Sequence, residues 1–341
     1  MQPLIYQSNG PSGAIKNTNV SNSSRLVLQE AEKLGIEWEI IPYTKLIQLT
    51  YKENIQTFYH QVPPSTTALA KYSCNNKRVT TNLLLNSDIS VPKGYRITKE
   101  SSHEYLKSAY KSLQKPLVVK PSNGSWGENI TVNITNYKDY LRAVKLAFAY
   151  SSKKDDIAIV EEMFEGREYR ILATREKVIG VLHRRPASVV GNGTDSIKQL
   201  IQQKNKNPIR SDQNSGTTSH LEIVMDDAML KLLEGVGKDF NSVIPQKERV
   251  FLRSVSNISQ GGDAIDFTDR DHPSVNKIAM EAINAIPGLS FAGIDLLSQD
   301  ITKKQSKDSY AIIEINDSPG FDIHDFPYKG KNRHAAREFL F

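Results

Sequence analysis

The sequence predicts a mixed α/β (α+β) fold, and three observations carry that reading. Strand-like and helix-like segments alternate along 341 residues with no internal repeat. Apolar runs are spread over the whole chain, and none approaches the length of a membrane span. Two strand-like runs near the C-terminus, residues 289–297 and 310–317, place Asp295, Glu314 and Asn316 where a sheet should bury apolar side chains.

Taken in order, residues 1–24 are rich in Asn, Ser and Gly, lack a cationic region followed by an apolar stretch, and are expected to be a mobile N-terminus without a secretory signal. A helix over 25–36 and an extended run over 37–42 open a small N-terminal domain, expected to end at residue 91 after a helix over Lys77–Asn86. Pro92 marks the boundary, because the residue before a proline leaves the helical region. A middle unit, 92–165, should hold a helix near 102–113, strands over 116–120, 130–133 and 157–162, and a helix from 137 to about 150. The last unit, 166–341, opens with antiparallel alternation from Tyr169 to Arg184, then a Gly191-Asn192-Gly193 turn before a helix capped by Thr194. Residues 203–219 are polar and read as a mobile loop. A helix from Pro273 to Ile286 puts Val275, Ile278, Ala279, Ala282 and Ile286 on one core-facing stripe, and Pro287-Gly288 stops it.

Composition narrows the function. The net charge is +6, but 44 basic residues are scattered among 38 acidic ones rather than gathered in a stripe, so a small anionic substrate is favoured over nucleic acid. A single cysteine, Cys74, excludes an internal disulfide framework, fits a reducing, cytoplasmic compartment and reads as a small buried apolar side chain. With one cysteine and no His-x-His or His-Glu-x-x-His pair, a structural zinc site is not expected.

The chemistry lies in three places. If the two C-terminal runs are neighbours, Asp295, Glu314 and Asn316 converge, and two close carboxylates need a cation or a proton to offset repulsion and lost solvation. Oxygen-only ligands favour Mg2+ or Mn2+; a solvated polar face on an edge strand is the plainer alternative. Lys120-Pro-Ser-Asn-Gly-Ser-Trp-Gly127 lies between two predicted strands, and its glycines let backbone N–H groups approach an anion. It is not a Walker A loop, since a strand rather than a helix follows; by itself such a loop is also an ordinary turn. Val160 to Arg170 ends a strand at a linker, where Met163 and Phe164 can pack on an adenine ring and Glu168 can accept from ribose hydroxyls, although most strand ends are no more than that.

Together, in this order and spacing, these features resemble the ATP-grasp superfamily. Arg253-Ser-Val-Ser-Asn-Ile-Ser-Gln-Gly-Gly-Asp263 and Ile313-Glu-Ile-Asn-Asp-Ser-Pro-Gly320, with His324 and Pro327 to Arg333, resemble the ATP-grasp portion of bifunctional glutathione synthetases, and Val189-Val-Gly-Asn-Gly193 is similar to cyanophycin synthetases. The resemblance implies two α+β subdomains clasping ATP and an ADP-forming carboxylate-amine ligase that passes through an acyl phosphate. It implies that Lys77, Lys120, Ser122, Gly124, Ser125 and Gly127 hold phosphates, that Glu161, Met163 and Phe164 line the adenine pocket, and that Glu168 holds the ribose. Asp295, Glu314 and Asn316 would hold two magnesium (or manganese) ions, with Glu314 between them. Arg253 and Asn257 would be catalytic, and Arg184, Arg185 and Gly262 would contact substrate. The implied partners are a small-molecule acid and an amine, with no nucleic acid and no membrane, and a second copy of the chain in a homodimer. The glutamate-cysteine ligase half of the bifunctional enzymes has no counterpart in the sequence, so the acid is expected from elsewhere. A small-molecule kinase and a non-catalytic nucleotide-binding module are the competing readings.

Overall fold

A computed structural model describes residues 6–7, 20–41, 44–122, 130–150, 157–211 and 218–341. Helix Asn22–Lys33 starts where Ser21 Oγ accepts from Ser24 N–H at 3.2 Å, and it buries Val27, Leu28 and Ala31. Those side chains meet Trp38, Ile40, Ile47 and Phe58 from an antiparallel sheet ordered β1 (Tyr6–Gln7), β2 (Glu37–Ile40), β3 (Leu46–Tyr51), β4 (Asn54–Tyr59). Ser23 and Ser24 are already buried here, and Ser23 Oγ takes the Phe321 N–H at 2.9 Å, so residues 22–24, expected to be mobile, are the packed start of this helix.

Helices Ala68–Asn75 and Lys77–Asn86 do not complete that N-terminal core. Their Ala70, Cys74 and Leu84 pack with Tyr169, Ile171 and Ile294 of a sheet much later in the chain. The expected 25–91 unit is therefore divided between two cores. Amphipathic spacing tells which face of a helix is buried, not what buries it.

The middle sheet is antiparallel with order β5 (Gly94–Thr98), β8 (Ile157–Glu162), β6 (Leu117–Pro121), β7 (Thr131–Ile134). Helices His103–Ser112 and Tyr137–Tyr150 cover one face, burying Ile97, Leu117, Val119, Ala158 and Val160. Each fully buried leucine or valine contributes about 1.5–3 kcal/mol relative to exposure. Alternation then turns Lys120 and Glu161 to the opposite, open face.

The chain continues through hairpin β9 (Arg167–Thr174) and β10 (Val178–Arg185) into an insert with its own core, comprising β11 (Ser188–Val190), β12 (Arg210–Ser211), β13 (His220–Leu221), β14 (Arg249–Phe251) and helices Ile197–Asn205 and Asp227–Glu234. Ser196, not Thr194, caps the first of these helices, in a reciprocal capping box with Gln199; Thr194 N–H is taken by Asn192 Oδ1. Part of the expected 203–219 loop is ordered: Arg210 is buried and hydrogen-bonded. Finally β15 (Asp263–Asp266), β16 (Phe291–Ser298) and β17 (Tyr310–Asn316) join the hairpin in one antiparallel sheet, ordered β15-β10-β9-β16-β17. Helix Pro273–Ala285 packs on its back face through the predicted stripe, with Val275, Ile278, Ala279, Ala282 and Ile286 all buried. Among the described residues no helix is long and apolar enough to cross a membrane.

Candidate active site

The front face of the last sheet changes character along its length. At one end Leu172 and Phe291 project into the N-terminal core beside Phe321. Two and four residues along the same strands, the same face carries Arg170 and Glu168 on β9 and Asp295 on β16. Asp295 pairs across to Glu314 and Gly293 to Asn316, so the predicted adjacency of the two runs holds and the three side chains share a face. β17 is the edge strand, yet the polar face continues inward across three more strands, so this is not a solvated edge alone.

Asp295 is buried. Its Oδ1 accepts from Arg170 Nε at 2.5 Å, and its Oδ2 accepts from Arg170 Nη2 at 3.2 Å and Arg184 Nη2 at 3.1 Å. Burial alone raises a carboxyl pKa, but here Arg170 and Arg184 outweigh it and hold Asp295 below the usual carboxylate range. Arg184 also donates to Glu168 Oε1, and Lys77 Nζ meets Glu314 Oε1 at 2.9 Å. Gly293, diagonal to Arg170 across the β9–β16 pair, leaves room for its side chain: a Cβ there would lie 2.7 Å from Pro319 Cβ and 3.0 Å from Arg170 Nη1. A cavity of about 370 Å3 opens on this cluster, closed on the other side by Ile130 and residues 255–257.

The charges of the cluster are matched. Three carboxylates (Glu168, Asp295, Glu314) face three cations (Lys77, Arg170, Arg184), so the protein itself supplies the compensation expected from a metal. Among the described residues no group of three or more His, Cys, Asp or Glu is arranged to hold a metal ion. Two carboxylates and one amide on a shared face still form an oxygen donor set suited to a hard divalent cation. The Asn316 Nδ2 atom is buried without a hydrogen-bond partner. Turning that nearly isosteric amide over would present its oxygen instead.

Lys120 and Glu161 pair at 2.6 Å on the open face of the middle sheet, and Ser122 Oγ is buried without a partner. With Lys77, Glu161 and Ser122 line a cavity of about 720 Å3 beneath helix Lys77–Asn86. Met163 and Phe164 are half-buried on the linker from β8 to β9, where Met163 N–H bonds Pro116 O at 2.9 Å. Gly124, Ser125 and Gly127, with Trp126, lie outside the described residues.

Arg253 is not with the acids. Its guanidinium takes Asp226 at 2.7 and 3.1 Å and Val224 O at 3.0 Å, facing a larger cavity of about 1110 Å3 that it shares with Glu168, Arg184, Arg185 and Phe251. Asn257 lines the acid cavity and caps a 3-10 turn through Oδ1, accepting from Ser259 N–H at 3.0 Å. Gly262 sits tightly under Arg185 O, and Arg185 itself is tied to Asp263 at 2.9 Å. His324 is fully buried, and neither ring nitrogen has a hydrogen-bond partner; burial, with Arg170 next, pushes its pKa down to about 3.

The residue of this cluster that sequence reading missed is Arg170. Its signal was present: on a strand it must share the face of Glu168, two residues earlier, which was already assigned to the cleft.

Known proteins share this architecture. Residues 74–319 match the model of the ATP-grasp domain. The glutathione biosynthesis bifunctional protein GshAB of Clostridium perfringens is 34% identical over 93% of this chain and 40% of its own. Cyanophycin synthetase of Synechocystis is 32% identical over 95% of this chain and 36% of its own. The crystal structure of a bifunctional glutathione synthetase from Pasteurella multocida superposes with a TM-score of 0.75 at 28% identity, covering 96% of this chain and 44% of that one. The chain thus spans less than half of each of these proteins. A family match over most of the sequence, joined to this fold, decides the identity: the chain belongs to the ATP-grasp family.

Proposed function

We propose that the protein is an ATP-dependent, ADP-forming carboxylate-amine ligase. The observation that carries the reading is the polar half of the front sheet face, where Glu168, Arg170, Arg184, Asp295, Glu314 and Asn316 gather around one cavity with Lys77 at its edge. The likeness to proteins named for glutathione and cyanophycin synthesis supports an acid and an amine as substrates.

In this reading Lys77, Lys120 and the 122–127 loop hold the triphosphate, Glu161, Met163 and Phe164 receive the adenine, and Glu168 takes the ribose. Asp295, Glu314 and Asn316 would hold two magnesium or manganese ions, which would neutralise charge on the phosphates. An oxygen of the acid's carboxylate attacks the γ-phosphorus, and ADP leaves. The amine nitrogen then attacks the acyl carbon, loses a proton, and the phosphate leaves. The chain's own work is to orient the two reactants and to meet the developing negative charge with fixed guanidinium groups. Arg184 serves that at the cluster, while Arg253 and Arg185 border the larger cavity and serve the acid, with Gly262 packed behind Arg185. Asn257 stays a catalytic candidate beside the acids. No covalent protein nucleophile is used. We assign the protein to the cytoplasm, from its single buried cysteine, and expect a homodimer.

The test is an ADP-release screen over pairs of amino acids and γ-glutamyl compounds. Release that requires both an acid and an amine supports the ligase. Release on a hydroxylated compound alone, with a phosphorylated product, would make it a kinase instead.

A further inference from the structure

We propose that Arg170, Arg184 and Lys77 are resident counter-ions of the acid cluster, which keep Asp295 and Glu314 closed to a divalent cation until nucleotide phosphates draw them away. This rests on the reading that Asp295, Glu314 and Asn316 hold the metal. It adds that metal and nucleotide bind as one linked event, and that Arg170 is the positioning residue that enforces the link.

The geometry points there in three ways. Both oxygens of Asp295 are engaged by guanidinium hydrogens, and its side chain is only 3% exposed, so an entering cation must displace a donor rather than fill an open place. Arg184 is shared by Asp295 and Glu168, so moving it releases Glu168 and leaves Asp295 to Arg170 alone. Lys77 closes Glu314 from the opposite side, and it also lines the cavity under helix Lys77–Asn86 that reaches Ser122 and Glu161. One lysine therefore borders both the acids and the cavity that Ser122 lines.

The energetics follow from balance. Three carboxylates against three cations leave the cluster near neutral, and adding a doubly charged ion to it meets repulsion from guanidinium groups a few ångströms away. A triphosphate reverses this, because it gives the displaced cations oxygens to hold while the metal takes the carboxylates. Each ligand thus lowers the cost of the other, and linkage requires the coupling to be reciprocal. Gly293 is part of the device, since any side chain there would occupy the space in which Arg170 lies flat against the sheet.

Mn2+ binding to the full chain, followed by the electron paramagnetic resonance of free Mn2+, tests this without turnover. In wild type, a non-hydrolysable ATP analogue should tighten Mn2+ binding by about tenfold or more beyond the Mn2+ that the analogue holds in a protein-free control. Lys77→Gln and Arg170→Gln should each tighten nucleotide-free Mn2+ binding by roughly three- to tenfold and shrink the analogue's effect, whereas Arg170→Lys, which keeps the charge, should not. A merely structural role would weaken binding or leave it alone. Because Arg170→Gln uncovers a buried carboxylate and is at risk of misfolding, Lys77→Gln, on a part-exposed pair, decides the matter independently. Equal Mn2+ affinity with and without the analogue in wild type, or no tightening in a folded Lys77→Gln, overturns the inference. No Mn2+ binding in any state overturns the metal assignment on which it rests, even if acid- and amine-dependent ADP release is found.

Discussion

Two buried charge clusters sit about the same sheet, and they differ in what they can do. Around Asp295 the charges are matched, three against three, and the cluster opens on a cavity. Around Asp263 one fully buried carboxylate takes Arg185 at 2.9 Å, Lys204 at 2.8 Å and Arg210 at 2.5 Å. The surplus positive charge there is spread over carbonyls: Arg210 reaches Leu221 O at 2.6 Å and Lys204 reaches Ser188 O at 2.7 Å, with the Tyr328 ring 5.0 Å from the lysine nitrogen. That cluster ties the insert, β15 and the segment after helix Asp322–Asp325 together. Buried ion pairs are thus not a functional signal in themselves. What separates the two is whether the partners can be exchanged for a ligand that reaches them.

The sharpest way to break the comparison is to remove one carboxylate from each cluster. Asp263→Asn strands Arg210 and Lys204 in the interior and unties Arg185 at the cavity wall, and should cost about 3–5 kcal/mol of stability, read from the denaturant midpoint; a loss below about 1 kcal/mol would show that the knot is not structural. Glu314→Gln keeps volume at a part-exposed side chain, so stability should barely change while turnover falls by at least about 10²-fold. Asp295→Asn should match that loss of turnover, with a larger stability cost because it is buried. Near-normal turnover in both would remove these residues from the reaction.

Acid should act on the sealed cluster through His220. Burial, with Arg210 next, pushes its pKa down to about 3, and its neutral Nε2 accepts from Ala264 N–H at 3.1 Å. The unfolded chain binds this proton below pH 6.5 and the folded chain does not, so the contribution is present above 6.5 and is lost as pH falls toward 3. At pH 5 the loss is about 2 kcal/mol, and His220→Gln should flatten the stability profile between pH 7.5 and 5 by that amount. An unaltered profile would place the acid sensitivity in His183 and His324, which are also held below their ordinary values.

The smallest expected effect belongs to Arg253. Paired with Asp226 at the rim of the larger cavity, it should serve the acid's binding, so Arg253→Lys should raise KM for the acid by about tenfold and leave ATP affinity unchanged. A drop in kcat at unchanged KM would return it to the chemical step.

Part of the front face was legible in the sequence because strand alternation is a strict rule: Glu314 and Asn316, two apart on one run, could only share a face, while the pairing of that run with Asp295's was a condition that the register supplies. Helix Lys77–Asn86 and the Pro273–Ala285 stripe were legible for the same local reason. What escaped depends on contacts distant in sequence. Asp226, which holds Arg253, is 27 residues upstream as a helix cap, and no spacing rule pairs the two. Arg210 lies in a run of polar residues and looks like loop, yet it is buried because Asp263 waits for it. The division of the N-terminal segment between two cores was likewise invisible, since an apolar helix face does not name its partner.

The central claim is that the open cluster serves activation of an acid by ATP, and trapping the activated acid tests it most directly. With an acid that supports amine-dependent ADP release, hydroxylamine in place of the amine should yield one hydroxamate per ADP, and Glu314→Gln should lose both products together. ADP release without any hydroxamate, from an acid that does form amide with its amine, would contradict the acyl-phosphate route and with it the reading of this site.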